Sequence, residues 1–219
     1  MKKKNKIIGV IGVRGLPPRH GAFDQHIHNL IKFSYEANDK KVFYVLCDET
    51  FKKYNYKYNN CIRIFIKRGN GIFIIFSNII GIIKFLFFGI KNFLFFGYSM
   101  SFIFKFMKLF NCNIICNVDG IEWKRSQSFF KKKYYKFCEV LVSKSKVKLI
   151  FDSLVIKRYY SINHKVNGSV IYYASDFENL TRKKINKKFI KCFVPMRFVK
   201  ENNKEIIINA IKKFNHIKL

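Results

Sequence analysis

Acidic residues are scarce in this sequence. It contains 13 aspartates and glutamates against 43 lysines and arginines, which gives a formal charge of +30 over 219 residues. Such an excess attracts nucleic acids, anionic membranes and phosphorylated substrates. Lysine, asparagine, isoleucine, phenylalanine and tyrosine are all abundant, however, as expected for a gene that drifts towards A and T, so many surface lysines need no function. The charge therefore narrows the classes of partner without choosing among them.

The cysteines form no C-x-x-C pair, and this absence argues against a structural zinc site. The six cysteines lie mostly within apolar patterns, where a free thiol packs as a small hydrophobic group. Free thiols are typical of a reducing compartment. The N-terminus has lysines but lacks an apolar segment followed by a small-residue cleavage site. The sequence therefore predicts a cytoplasmic protein.

No hydrophobic run is long enough to predict a membrane span. The longest uncharged run in the most apolar region, Gly69–Ile83, has 15 residues, whereas a spanning helix needs about 20. Lysines interrupt the rest of this region up to Phe110, and a lysine at mid-bilayer costs about 2.5–3.5 kcal/mol. We therefore expect the region to be buried in the protein core. Its aromatic, lysine-edged helices also suit the surface of a membrane, which stays open as a second interpretation.

Neither of the common nucleotide-binding loops is present, since the sequence has no G-x-G-x-x-G and no glycine-rich loop that ends in Gly-Lys-Ser or Gly-Lys-Thr. The chain nevertheless opens with a related pattern. The apolar run Ile7–Ile11 predicts a buried strand, Gly12, Gly15 and Gly21 follow it, and Phe23–Ile31 has helical spacing. Strand, glycine-rich turn and helix form the first βα unit of a doubly wound sheet, whose ligands bind near this turn. The alternative is a βα turn that binds nothing.

Strands and helices alternate along the rest of the chain, which is the pattern of an α/β fold with a parallel sheet. Short apolar runs predict further strands at Lys41–Cys47, Cys61–Ile66, Asn92–Phe96, Asn113–Val118, Val147–Phe151, Ser169–Tyr173 and Phe189–Val194. Helical spacing predicts helices at Phe76–Phe88, Ser99–Phe110, Ser126–Lys144, Leu154–Tyr160 and Glu201–Phe214. The sequence thus predicts a Rossmann-like doubly wound domain over residues 1–176, a polar linker over 177–188, and the start of a second such domain over 189–219.

A cluster of polar residues follows the predicted strand Asn113–Val118. Two carboxylates, the only tryptophan and two cations fall within seven residues: Asp119, Glu122, Trp123, Lys124 and Arg125. They stand at the carboxyl end of a strand, where parallel sheets bind ligands. Carboxylates hold sugar hydroxyls or accept a proton, an indole stacks on a sugar ring, and Lys and Arg hold phosphate. The competing interpretation is structural, with Asp119 or Glu122 capping a helix and Trp123 in the core.

Three segments of the sequence resemble the motifs of one known family. Gly12–Phe23 is similar to a G-x-R-G-x-P…Y/H-G-G-F opening, and Asn117–Arg125 is similar to an N-V-D-G-x-E-W-x-R block. Arg197–Asn203 is similar to an R-F-V-P-E-N-N segment that opens a second domain. These motifs are typical of a family of bacterial glycosyltransferases, GT-B enzymes related to the rhamnosyltransferases of surface-polysaccharide synthesis. The order and intervals also fit, so the resemblance covers nearly the whole chain.

This resemblance implies a retaining transfer of a sugar from a nucleotide-sugar donor to a lipid-linked glycan acceptor, with no metal or other cofactor. The enzyme would work at the inner face of the cell membrane, with an anionic membrane surface as a partner. Gly12, Arg14, Gly15 and Arg197 would bind the donor phosphates, because a leaving diphosphate without a metal needs arginine and backbone N–H groups. Asp119 would contact the reacting sugar and serve in catalysis. Six more residues would line the acceptor side: His20, Gly21, Glu122, Trp123, Lys124 and Arg125.

The chain departs from that family in three places. Ala22 replaces a glycine of the opening motif, and Met196 stands where the family has a glycine before Arg197. The second domain ends at Leu219, although a Rossmann-like half needs roughly 100 residues or more. We therefore expect a truncated or split glycosyltransferase with little activity alone, whose donor site would come from a separately encoded C-terminal half.

The alternative function is that of a basic protein without catalysis that binds a membrane or nucleic acid. Nucleic-acid binding would require a patterned basic face with interleaved aromatic residues, or a recognisable module. The charges of this sequence are scattered instead. We therefore expect no nucleic-acid partner.

Overall fold

The structure is a computed structural model that describes residues 6–19, 21–125, 128–173, 190–191, 203–213 and 217–218. The chain divides into two compact units, Met1–Ala174 and Ser175–Leu219. The predicted linker 177–188 lies outside the described residues, as do His20, Met196 and Arg197. The domain limits proposed from the sequence therefore stay a prediction.

The first unit is built on a seven-stranded parallel sheet. Its strands are Lys6–Ile11 (β1), Lys41–Asp48 (β2), Cys61–Ile66 (β3), Asn92–Phe96 (β4), Asn113–Val118 (β5), Lys148–Phe151 (β6) and Ser169–Val170 (β7). They pair in the order β3-β2-β1-β4-β5-β6-β7, and every pair is parallel. The predicted Rossmann-like, doubly wound α/β fold is confirmed. The strand order reverses between β1 and β4, which makes this the switch point of the sheet.

Helices cover both faces of the sheet. Those described in the first unit are Ala22–Glu36 (α1), Ile72–Phe87 (α2), Phe104–Leu109 (α3), Glu122–Arg125 (α4), Phe129–Lys144 (α5) and Leu154–His164 (α6). On one face, α1 packs Ile27 and Ile31 into a core with Val10 and Val45 of the strands. On the opposite face, α2, α3, α5 and α6 contribute to a second, larger core. Right-handed crossovers on either side of the switch point account for this division.

Four predicted helices have other bounds in the structure: Phe76–Phe88 is found as Ile72–Phe87, Leu154–Tyr160 extends to His164, and two more differ at their start. The predicted helix Ser99–Phe110 is a 3-10 turn, Ser101–Ile103, followed by α3. The Ser101 hydroxyl donates a hydrogen bond of 2.7 Å to the Cys138 carbonyl of α5, so a tertiary contact shapes this start. The predicted helix Ser126–Lys144 begins at Phe129, and α4 precedes it as a separate turn. The sequence pattern cannot predict either of these helix starts, because the apolar spacing continues through both of them.

The prediction that the Gly69–Phe110 region is buried holds for β4 and for the inner faces of α2 and α3, but the outer faces of both helices are exposed. Ile82 and Phe85 belong to the core, and a Cβ on Gly81 would overlap the Leu46 side chain of β2. Phe76 and Phe87 are exposed on the other side of the helix. None of the helices in the described part of the chain is long and apolar enough to cross a membrane.

The second unit, taken by itself, contains a βαβ arrangement. The strands Ile190–Lys191 (β8) and Ile217–Lys218 (β9) pair in parallel, and the helix Lys204–Lys212 (α7) lies between them in sequence. Parallel strands joined by a helix are the repeating element of a doubly wound sheet. The predicted strand Phe189–Val194 and helix Glu201–Phe214 extend beyond the residues that the structure describes on each side.

Candidate functional site

A glycine follows each of the two strands at the switch point. Gly12 comes directly after β1 with φ of +101°, and Gly97 comes directly after β4 with φ of +82°. Only glycine adopts this region readily. A Cβ on Gly12 would also overlap the Phe96 carbonyl of the neighbouring strand. Both glycines therefore keep side chains away from the place where open α/β sheets bind their ligands.

The turn after β1 is held in place by the protein's own side chains. The Arg14 amide donates to Asp24 Oδ1 at 2.8 Å, and the Arg14 carbonyl accepts from the Asp48 amide at 2.8 Å. Asp24 is buried in the first turn of α1, where a carboxylate is stabilised by the helix dipole. This carboxylate occupies the Arg14 N–H that a bound phosphate would otherwise use. The Arg14 side chain itself is exposed, so its guanidinium is the part of the residue that remains available to a ligand.

Close packing against Phe51 explains why residue 15 is a glycine. Its backbone is buried, and a Cβ there would lie 2.5 to 2.8 Å from ring atoms of Phe51. The next residue, Leu16, accepts a hydrogen bond of 2.9 Å from Arg63 Nη1. The same guanidinium group donates to the Tyr54 carbonyl at 2.8 Å. Arg63 thereby ties the turn after β1 to the loop after β2.

A second arginine lies near this turn, beyond the end of β3. Arg68 Nη2 donates to Asn78 Oδ1 at 3.1 Å, and Arg68 Nε has no hydrogen-bond partner in the described part of the chain. Burial lowers the pKa of Arg68, and the carboxylates of Asp48 and Asp24 oppose that shift. Arg68 is therefore a half-buried cation beside two acids, at the same edge of the sheet as Arg14.

A group of polar side chains lies beyond the ends of β5, β6 and β7. Asn117 is the penultimate residue of β5, Asp119 follows β5, Asp152 follows β6, and Tyr173 lies three residues beyond β7. We call these four residues the carboxyl-edge cluster. The pKa of Tyr173 is raised by burial and by the nearby carboxylates of Asp119 and Asp152, and the Asn117 amide opposes this shift. The four side chains therefore lie close to one another.

Several polar atoms of the carboxyl-edge cluster are buried without a hydrogen bond. Asn117 is 1% exposed, and its side-chain nitrogen and oxygen make no hydrogen bond of normal geometry in the described part of the chain, although the amide lies close enough to the Tyr173 hydroxyl to oppose the raised pKa of that group. The Tyr173 hydroxyl and Asp152 Oδ1 are also buried without a hydrogen bond of normal geometry among the described residues. Buried polar groups are almost always paired in folded proteins, so an unpaired set marks a place where water or a ligand is expected.

Side chains of α1 enclose the carboxyl-edge cluster from the direction of β4. The ring centroids of His26 and Tyr173 lie 5.1 Å apart, and those of Phe23 and Tyr173 lie 6.5 Å apart. A groove of about 740 Å³ begins beside Asn117 and His26 and continues over the apolar surface of β4 and β5. Of the cluster, Asn117 alone lines this groove, which extends from there towards the amino ends of the strands.

Burial shifts the titratable groups of this region towards their neutral forms. It raises the pKa of Asp119, with a further increase from the Asp152 carboxylate, and Arg125 opposes the shift. Burial also raises the pKa of Asp152 and lowers that of His26. Carboxylate oxygens accept hydrogen bonds from sugar hydroxyls, and the Asn117 amide both donates and accepts them. The arrangement can therefore bind a ligand rich in hydroxyl groups.

The short helix α4 follows Asp119 and carries the remaining predicted acceptor residues. The Glu122 amide donates to Tyr98 Oη at 2.8 Å, and Arg125 Nη1 donates to Glu122 Oε1 at 2.9 Å. The Arg125 guanidinium also lies against Gly120 and influences Asp119. Lys124 is exposed, with Nζ 5.0 Å from the centroid of the Tyr159 ring. Asp119, Glu122 and Arg125 are therefore brought together by the structure.

Trp123 is anchored to the interior. Its indole Nε1 donates to Glu139 Oε2 at 3.0 Å, and Glu139 on α5 is 2% exposed. The other carboxylate oxygen of Glu139 accepts from Tyr159 Oη at 2.8 Å and contacts His164 Nε2 at 2.7 Å. This carboxylate therefore joins α4, α5 and α6, and Trp123 positions α4 beside the carboxyl-edge cluster.

The predicted site residues fall into two groups at one edge of the sheet. Arg14 lies beyond β1 and interacts with Arg68, whereas Asp119 lies beyond β5 among Asp152, Arg125 and Tyr173. Only β4 separates β1 from β5, and two strand spacings amount to about 10 Å. Gly21 is exposed at the start of α1. The roles proposed for these residues, and for His20 and Arg197 outside the described part, stay predictions.

A comparison with protein families identifies the chain. A domain of unknown function, DUF1972, matches residues 5–176. The chain belongs to the DUF1972 family. No curated protein matches its sequence. The DUF1972 match spans the whole seven-stranded sheet and both loops of the candidate site, and it is consistent with a GT-B-like fold and with a glycosyltransferase-like protein.

The sequence analysis did not select Asn117, Asp152, Tyr173 or Asp24 of this DUF1972 chain as site residues. Asp152 follows a predicted strand, so the rule that ligands bind at the carboxyl ends of parallel strands was a signal for it. Asn117 lies inside a strand and looks like a core position, since only the three-dimensional packing shows its unpaired amide. Tyr173 carries no local signal, because the contacts with Phe23 and His26 join residues about 150 positions apart.

Proposed function

We propose that this DUF1972 chain binds a sugar at the carboxyl-edge cluster and takes part in glycosyl transfer. The observation that carries the proposal is the buried side-chain amide of Asn117, which makes no hydrogen bond of normal geometry within the described residues and lies near two carboxyl groups with raised pKa values. A sugar presents alternating hydroxyl donors and acceptors, which such a set satisfies. The position of the cluster near the switch point of a Rossmann-like sheet supports the same conclusion.

Asp119 is proposed to act on the acceptor. Glycosyl transfer breaks the bond between the anomeric carbon and a phosphate oxygen and joins that carbon to an acceptor hydroxyl, which loses its proton. A carboxylate whose pKa is raised towards neutrality is a better proton acceptor than an ordinary aspartate. In this proposal Asp119 holds the hydroxyl and accepts its proton, and Asn117 and Asp152 orient the sugar ring.

The departing diphosphate is proposed to lie towards β1. The exposed guanidinium of Arg14 and the half-buried one of Arg68 carry positive charge at that end of the sheet. Cations aimed at a leaving group stabilise the charge that develops on it. The three sequence motifs support a nucleotide-sugar donor, a lipid-linked glycan acceptor and a rhamnosyl-type reaction. In this proposal Glu122, Lys124 and Arg125 face the acceptor.

Equilibrium binding of a panel of nucleotide sugars and free hexoses and deoxyhexoses to the purified chain tests the proposal. We expect at least one panel member to bind, and the variant Asn117→Leu to lose that binding by at least tenfold. Because the amide makes no hydrogen bond of normal geometry in the described part of the chain, its replacement by an apolar group of similar volume should leave the melting temperature unchanged or raised. A merely structural asparagine would lower the melting temperature instead.

Asp39→Asn is the matched control for Asp119→Asn, because Asp39 is an exposed aspartate in the loop before β2. We expect Asp119→Asn to reduce binding or transfer to a lipid-linked acceptor, and Asp39→Asn to leave both unchanged. The proposal fails if no sugar of the panel binds, or if a bound sugar has the same affinity for Asn117→Leu and Asp119→Asn as for the wild-type chain.

A further inference from the structure

The helix α2 carries a continuous stripe of exposed apolar side chains. Its members recur at intervals of three and four residues along the helix and are 46 to 86% exposed: Ile72, Phe76, Ile80, Ile83 and Phe87. Residues at this spacing lie on one face of an α-helix. An apolar face of this length on a surface helix is a feature of interaction sites.

The stripe cannot turn inwards, because the opposite face of α2 is fixed in the core. Gly81 fits against Leu46 of β2, and Phe85 packs against Tyr44 and Phe93 of the sheet. Ser77 on the same face donates to the Lys67 carbonyl at 3.0 Å. The orientation of α2 is therefore set by contacts with the sheet, and these contacts leave the stripe directed away from it.

A second set of exposed apolar residues surrounds α3 on the same face of the sheet. Its members are 36 to 79% exposed: Phe102, Phe106, Leu109 and Phe110. Phe104 and Met107 of α3 share the core that contains Ile82 and Phe85 of α2, so both helices pack on one side of the sheet. Both sets are therefore exposed on that side of the sheet, and we call them together the α2–α3 surface.

The segments that carry the α2–α3 surface contain basic residues and no acidic ones. From residue 50 to residue 118 the sequence contains no aspartate or glutamate, but it contains ten lysines and arginines. Lys84 on α2, Lys91 before β4 and Lys105 on α3 are exposed. Apolar side chains bordered by lysines, without any acid, are complementary to a layer of anionic lipid headgroups above acyl chains.

We propose that the α2–α3 surface binds an anionic lipid membrane, with α2 lying along the membrane plane. The apolar stripe would enter the boundary between headgroups and acyl chains, and the lysines would contact lipid phosphates. At 16 residues, α2 is shorter than the roughly 20 that a spanning helix needs. A second copy of this chain is a poorer occupant, because two molecules of charge +30 repel each other.

Co-sedimentation of the full chain with lipid vesicles tests the proposal. One set of vesicles contains phosphatidylcholine alone, and the other contains phosphatidylcholine mixed with phosphatidylglycerol. We expect the wild-type chain to bind the anionic vesicles at least tenfold more tightly than the neutral ones. The double variant Phe76→Gln/Phe87→Gln should lose at least tenfold in binding to the anionic vesicles, since both side chains are exposed and contribute little to the core.

The control variant is Phe33→Gln, which removes an equally exposed phenylalanine from α1 on the opposite face of the sheet. It should bind as the wild type does. Tryptophan introduced as Phe76→Trp should be quenched by brominated acyl chains, and tryptophan introduced as Phe33→Trp should not. Circular dichroism confirms that each variant is folded.

Three outcomes would overturn the proposal. The first is equal binding of Phe76→Gln/Phe87→Gln and wild type to anionic vesicles, which would mean attraction by scattered lysines only. The second is a loss of binding to anionic vesicles in the Phe33→Gln control that is as large as the loss in the double variant. The third is a dimer in solution that the double variant converts to a monomer, because a second copy would then cover the surface. The vesicles contain no sugar acceptor, so these outcomes are independent of the proposed glycosyl transfer.

Discussion

At the scale of single residues, the candidate site depends on positions where only one side chain fits. Gly12 combines a positive φ with a close approach to the Phe96 backbone, whereas Asn117 is a buried amide without a hydrogen bond of normal geometry in the described part of the chain. Gly12 allows two strand ends to approach each other, and the Asn117 side chain contributes little to the internal hydrogen bonding. Stability measurements separate these two kinds of residue.

Substitution of Gly12 by alanine should destabilise the protein strongly. The new Cβ would meet the Phe96 carbonyl, so the strain of a positive φ and a steric overlap add to about 3 kcal/mol or more. Gly89 provides a matched control, because it also has a positive φ, +71°, but a Cβ there meets no atom within 4 Å. We expect Gly89→Ala to cost about 1 kcal/mol in urea unfolding. Equal costs for the two variants would contradict the proposed contact.

The ionised side chain of Asp119 should lower the free energy of unfolding at neutral pH. Because burial raises its pKa, the folded protein holds the Asp119 proton more tightly than the unfolded chain does. The free energy of unfolding therefore falls as pH rises from the ordinary aspartate pKa of about 3.9 through the raised value, and the full penalty remains above it. Asp119→Asn lacks this penalty, so we expect its melting temperature to exceed that of wild type by a few degrees at pH 7.

That difference should vanish below the ordinary aspartate pKa, where both states of the wild-type chain are protonated. Thermal melts between about pH 3 and pH 7 measure it. The exposed Asp39, replaced as Asp39→Asn, should show no comparable rise at pH 7. A lower melting temperature for Asp119→Asn across this whole range would contradict the assignment of a raised pKa.

At the scale of elements, Glu139 couples three helices. Its buried carboxylate accepts hydrogen bonds from Trp123 on α4 and Tyr159 on α6, and it contacts His164 at the end of α6. The network fixes α4 in the position that places Arg125 near Asp119. A residue on α5 therefore supports the candidate site without belonging to it.

A double-mutant cycle between Glu139 and Trp123 measures this coupling. We expect Glu139→Leu to cost about 2 kcal/mol or more, because it leaves the partly buried Trp123 and Tyr159 donors without their acceptor and removes the contact with His164. When Glu139→Leu is combined with Trp123→Phe, the coupling energy between the two positions should be about 1 kcal/mol. Tyr35→Phe, an exposed site on α1, supplies a partner that should show no coupling to Glu139. A coupling energy near zero for the Trp123 pair would contradict the network.

Strands were more predictable from the sequence than helices or site residues. The bounds of Cys61–Ile66, Asn92–Phe96 and Asn113–Val118 agree with their predictions, because each is a short apolar run with turn-forming residues nearby. Helix ends such as those near Ser101 and Phe129 depend on tertiary contacts that periodicity does not contain. The sequence motif predicted Asp119 as a candidate site residue, whereas Asn117 and Tyr173 became visible only through buried atoms and ring contacts.

At the scale of the whole molecule, the first unit has its own sheet and its own two cores. The seven strands and both cores lie within Met1–Ala174, and the DUF1972 match covers residues 5–176. A unit with a complete sheet and core can fold alone. The second unit contributes a short parallel pair and one described helix.

A chain that ends at Ala174 should therefore unfold cooperatively, with a melting temperature within a few degrees of that of the full chain. Differential scanning calorimetry of both chains makes the comparison. Loss of the cooperative transition in the shorter chain would show that the first unit depends on later residues. In that case the division into two compact units would not describe the folding of the protein.

The central claim is that a sugar binds at the carboxyl-edge cluster, and the side-chain amide signal of Asn117 reports on it most directly. In a chain with ¹⁵N-labelled asparagine, Asn117→Leu assigns that signal by its disappearance. The account predicts that a nucleotide sugar or free sugar of the panel shifts the Asn117 side-chain signal in a saturable manner, and that Asp119→Asn weakens the titration. Saturable shifts confined to other asparagines, or no shift with any sugar of the panel, would contradict it.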